Sequence, residues 1–140
     1  MGSIQNLTAG TTVADRADVA TRILQRMIGL LSRSGLEEGE ALIFPRCNAI
    51  HTCFMRFAID VLFIRTAPGS GLRAPGTSPE PRALSPEPIV GTVVRTAEWV
   101  KPGRLLRARG ADTVIELPAG SVTRTGTQPG HHIAFFYSTR

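Results

Sequence analysis

Lysine is almost missing from this chain: of sixteen basic residues, only Lys101 is not an arginine. The cysteines number two, Cys47 and Cys53, and no Cys-x-x-Cys pair is present, so the familiar spacing of a structural zinc site is lacking. Aromatic residues make up 6% of the chain, with a single tryptophan, Trp99. No apolar run approaches the ~18 residues that would span a bilayer. The opening stretch MGSIQNLTAGTTVADRADVA has no basic start followed by an apolar segment, as an export signal would. The expectation is therefore a cytoplasmic protein with no membrane partner.

What is present is ordinary for a globular protein. Hydrophobic residues are 42% and charged residues 19% of 140, enough for one domain, residues 1–140, with a core of its own. The protein is basic, with a formal charge of +5 and a pI near 10.5. Along the sequence the arginines stand scattered among apolar and acidic neighbours. Recognition of nucleic acid calls for cations gathered on one face or interleaved with aromatics, so nucleic acid is not an expected partner.

The most apolar stretch is Ala41 to Ile64, ALIFPRCNAIHTCFMRFAIDVLFI, which holds both cysteines, His51 and the isolated acid Asp60. Its two apolar runs, Ala41 to Phe44 and Ile59 to Ile64, have the length and residue types of buried strands. Pro45 ends the first, because proline donates nothing to a ladder. Upstream, Leu7 to Asp15 is a weak strand. From Ala20, the residues Ile23, Leu24, Met27, Ile28 and Leu31 recur at three- and four-residue spacing and predict one amphipathic helix, ending near Gly35.

Thr66 to Pro88 is dense in proline, glycine and serine; it buries too little apolar surface to offset its ordering entropy and reads as a long mobile surface insertion. Beyond it, strands are expected at Ile89 to Thr96, Leu105 to Arg109, Thr113 to Leu117 and His132 to Tyr137, with an edge segment at Trp99 to Pro102. Ser121 to Thr125 suits one helical turn closed by Gly126, and Pro129-Gly130 a type II turn. The fold class is mainly β: an antiparallel sandwich or barrel of short strands with one N-terminal amphipathic helix.

These elements carry a resemblance. Arg26-Met27-Ile28-Gly29-Leu30-Leu31-Ser32-Arg33, followed by Leu36, Gly39 and Leu42-Ile43-Phe44, is similar to the opening of family 192 of the domains of unknown function. Ile59-Asp60-Val61-Leu62-Phe63-Ile64 resembles that family's strand with an aspartate, and Val114 to Gly120 its leucine-glutamate-leucine block. Gly126 and Pro129-Gly130 sit at its closing glycines. The chain departs where the family commonly has an aromatic and amide segment before the aspartate, reading His51-Thr52-Cys53-Phe54-Met55-Arg56, and it has Ala58 in place of a proline. The resemblance implies a small β-sandwich domain and lends no activity.

Two chemistries compete for the central stretch. If Ala49 to Met55 is a strand, His51 and Cys53 share a face about 7 Å apart. With Cys47 they would offer three metal ligands or a thiol and its base, the fourth ligand being His131, His132 or a carboxylate. A disulfide is not expected, since six extended residues put the cysteines about 20 Å apart where about 7 Å is needed. The preferred expectation is non-catalytic, without cofactor or metal. A face of the β domain would hold a small polar ligand, a carbohydrate among the candidates, or a protein partner. Asp60, His51 and Trp99 would line the cleft with Arg33 and Arg56 as companions to the carboxylate; the other reading of Asp60 is an aspartate that ties strand to loop by backbone hydrogen bonds. Exposed strand edges leave the protein a monomer or a weak dimer.

Overall fold

The structure, a computed structural model, describes residues 2–19, 35–53, 55–67 and 88–137. Its strands are β1 (Gly2–Asn6), β2 (Thr11–Val19), β3 (Glu40–Pro45), β4 (Ala49–His51), β5 (Ile59–Thr66), β6 (Ile89–Val100), β7 (Leu105–Arg107), β8 (Thr113–Pro118) and β9 (His132–Tyr137), with one short helix, α1 (Ser121–Thr125). Seven strands close a barrel in the order β1-β2-β3-β8-β5-β6-β9, while β4 and β7 pair separately. The mainly β class is found, and the sandwich implied by resemblance is replaced by a barrel.

Not every pairing is antiparallel. β2 runs parallel to β3, with Arg16 opposite Glu40 and Val19 opposite Ile43. A parallel pair needs a long crossover, and residues 20–39 supply its length. The amphipathic helix expected from Ala20 to Leu31 falls outside the described residues. So does the bulk of the expected insertion, residues 68–87, while Thr66 belongs to β5.

Local chemistry explains two shifted boundaries. Leu7 starts a turn rather than a strand, because Asn6 Oδ1 accepts the N–H groups of Thr8 (3.1 Å) and Ala9 (2.9 Å) and Gly10 takes a positive φ of 70°. The expected edge segment at Trp99 is instead the end of β6, twelve residues long. The helical turn is as expected, with Gly126 at φ 67° donating to Thr123 and Val122 carbonyls.

Two apolar layers share the barrel wall. Ile4, Leu62, Ile64, Ile115, Leu117 and Ile133 fill the interior, joined by Val122 of α1. Ile59, Val61, Phe63 and Val114 face outward and are covered by Ile50 and Leu106 of the β4–β7 pair. The six residues Ile59 to Ile64 are therefore buried on both faces, which is why they read as an unbroken apolar run instead of an alternation.

Candidate functional site

The β4–β7 pair forms a flap over the outer face of the barrel. Ala49 lies opposite Arg107, Ile50 opposite Leu106 and His51 opposite Leu105. Ile50 and Leu106 point inward to the apolar layer, so alternation turns His51, Leu105 and Arg107 outward, and all three are exposed. The expected strand from Ala49 to Met55 stops at His51 because Thr52 is diverted into a latch. Its hydroxyl donates to the Lys101 carbonyl (2.7 Å) and accepts the Arg104 N–H (2.9 Å), while its own N–H donates to the Arg104 carbonyl (2.8 Å). Thr52 is fully buried, so the flap and the loop before β7 move as one piece.

Charge is distributed unevenly. Residues 45–58 and 99–111 hold six basic side chains, Arg46, Arg56, Lys101, Arg104, Arg107 and Arg109, and no acidic one. The remaining residues carry ten basic and eleven acidic groups, a net of −1, so the flap and its flanks account for the whole positive charge. All six side chains are exposed, and among the described residues none of them forms an ion pair. Two cations of the barrel are tied to the same region: Arg95 Nη1 donates to the Arg107 carbonyl (2.7 Å) and Arg65 Nε to the Gly110 carbonyl (2.9 Å). Of the two acids that border the second segment, Asp112 is occupied by Thr66 and Thr113, and Glu98 accepts the Thr123 hydroxyl. The pairing of β4 with β7 thus brings the basic segments 45–58 and 99–111 together.

Trp99 stands beside this surface, 63% exposed. Its φ of 50° is uncommon for a bulky side chain, and the conformation is held from below. Asp60, with no exposure at all, accepts the Trp99 N–H on Oδ1 and the Val122 N–H on Oδ2, both at 2.8 Å. One buried carboxylate therefore joins β5, the end of β6 and the first turn of α1. This corrects the placement of Asp60 in a ligand cleft: both oxygens are spoken for and face away from solvent. It acts on the surface only through the backbone of Trp99.

The other expected residues separate. His51 is exposed on the flap and Asp60 is buried in the wall; Arg56 is exposed, and Arg33 lies outside the described residues. Cys47 donates its thiol to the Ala49 carbonyl (2.9 Å), Cys53 is exposed, and both are free. Among the described residues no group of three or more His, Cys, Asp or Glu is placed to hold a metal, so Cys47, His51 and Cys53 are not brought to one centre. His131 Nδ1 accepts the amide of Asn6 (3.2 Å), since that nitrogen can only donate, and His132 lies against Thr92.

One residue is more unusual than its sequence context suggests. Glu116, in the middle of β8 between Leu42 and Val61, is 5% exposed, and its Oε2 has no hydrogen-bond partner among the described residues. Burial pushes its carboxyl up from 4.5 to about 7. Its apolar neighbours in sequence, Ile115 and Leu117, mark a buried strand; the missing partner is visible only in three dimensions.

No helix among the described residues is long and apolar enough to cross a membrane. No curated protein matches the chain. Two solved structures share the fold. One is a protein of Sinorhizobium meliloti 1021 provisionally described as a transcription regulator: 21% identical, covering 94% of this chain and 89% of that one, TM-score 0.64. The other is a protein of unknown function from Novosphingobium aromaticivorans DSM 12444: 19% identical, covering 94% and 81%, TM-score 0.61. Residues 4–68, a little under half of the chain, match the model of DUF192, described as Uncharacterized ACR, and that part of the chain is similar to the family.

Proposed function

We propose that this protein is a non-catalytic binding module whose working surface is the flap, and that its ligands are anionic. The observation that carries this is the grouping around β4 and β7 of six exposed cations that form no ion pair among the described residues, with no acid in the same segments. Such a cluster costs self-repulsion and is relieved by a ligand of opposite charge. The latch at Thr52 and the Asp60 anchor support the same reading, because they fix the backbone that displays these side chains and so lower the ordering entropy of binding.

The test is retention on immobilised heparin. The charge-reversal pair Arg104→Glu and Arg107→Glu is expected to elute at clearly lower salt than the control pair Arg73→Glu and Arg82→Glu, which makes the same change in net charge within the proline-rich stretch. Equal shifts for the two pairs would mean that retention follows overall charge, and the reading would fail.

A further inference from the structure

We infer that the anionic ligand of the flap is single-stranded nucleic acid, its phosphates held by Lys101, Arg104 and Arg107 and a base stacked on Trp99. This rests on the reading of the flap as an anion-binding surface and adds the ligand class. Trp99 precedes Lys101 by two residues, so their Cα atoms are at most about 7 Å apart. The aromatic face and the first cation are therefore within one nucleotide's reach. Lys101 and Arg104 are in turn pinned through their backbones to Thr52, and Arg107 faces outward from β7. Cations along an extended segment beside an exposed aromatic ring are the two components of sequence-tolerant single-strand binding: the backbone supplies charge and each base a π-face.

The tryptophan narrows the polyanions. An acidic peptide satisfies the cations but brings no base to stack, and a duplex keeps its bases stacked on one another. An acidic polysaccharide can lay a sugar ring on the indole, and the heparin titration separates it from an unpaired strand, each of whose bases offers a full π-face. Trp99 takes a positive φ with its N–H on Asp60, and its ring stays largely exposed with one edge near Gly120.

Trp99 is the only tryptophan in the chain, so its emission reports the site directly. The experiment titrates the full-length protein with an oligothymidylate of about 15 nucleotides, within the range of small single-strand sites. The same titration is run with the matching duplex and with heparin. Quenching by the single strand is expected, with log affinity falling against log salt at a slope of about −2, as for three phosphates neutralised. By anisotropy of a labelled oligonucleotide, Trp99→Ala should weaken binding about tenfold, and Arg104→Glu with Arg107→Glu should abolish it. Thermal melts confirm that the variants fold, and Lys101→Glu serves in place of any that does not. Salt-sensitive heparin binding without oligonucleotide binding would overturn the nucleic-acid assignment and leave the anionic surface standing. A duplex bound as tightly as the single strand, or an unaffected Trp99→Ala variant, would overturn the stacking. Binding to neither polymer would remove both.

Discussion

Asp60 and Glu116 are two buried acids on neighbouring strands with opposite circumstances. Both oxygens of Asp60 accept backbone N–H groups, so neither is left buried without a donor. Asp60→Asn puts an amide nitrogen against one of those donors, and the expected loss is about 3 kcal/mol in chemical denaturation, from one charge-assisted bond and one unsatisfied donor; Trp99 emission should shift with it. Glu116 Oε2 has no such donor among the described residues. In the unfolded chain its carboxyl ionises near 4.5 and in the barrel near 7, so between those values the native state keeps a proton that the unfolded state has released. Stability therefore falls as pH rises through this window, by about 3 kcal/mol in all, and the penalty is complete above pH 7. Glu116→Gln should remove that slope and be the more stable protein at pH 8; a wild-type protein with the same pH profile as the variant would refute the assignment. Sequence alone singled out Asp60 as costly unless paired, which is correct, but its partners are backbone groups 39 and 62 residues away, beyond any local signal. Glu116 escaped notice because a lone acid in an apolar strand looks the same whether or not a partner reaches it.

At the level of elements, the strands were legible wherever burial made the sequence apolar, as in β3, β5 and β8, and their ends were not. β6 and β5 approach closely at Gly91, where an added Cβ would lie 2.5 Å from Ile64 Cγ2 and 2.9 Å from the Arg65 carbonyl. The glycine that weakens β6 in propensity is thus required by its neighbour. Gly91→Ala should destabilise by about 2 kcal/mol in urea denaturation, since backbone has to move to admit the methyl group; a neutral substitution would show that the strands are further apart. The flap strands are three residues each, too short for a clear period. What ends β4 is the hydrogen bonding of Thr52 to residues about fifty positions on, so a strand running to Met55 was a reasonable expectation that a distant contact overrode.

For the molecule as a whole, the decisive property is where the charge lies. Six cations in one region, with no ion pair among the described residues, repel one another, and salt screens that repulsion over about 10 Å at 0.1 M. The thermal midpoint is accordingly expected to rise between low salt and 0.15 M, with a smaller rise in the Arg104→Glu and Arg107→Glu variant; no difference between them would show that the cluster carries no strain. Composition, hydrophobic patterning and turn chemistry determined by themselves that the chain is mainly β, which segments are buried, where α1 closes on Gly126 and which family the chain resembles, because each of these depends on residues within a few positions of one another. Tertiary structure alone decided that the sheet closes into a barrel with a parallel pair, that Asp60 is an anchor and not a ligand-facing acid, and that the two basic segments meet at the flap. Those outcomes depend on which distant segments become neighbours, and the sequence places no two of them side by side.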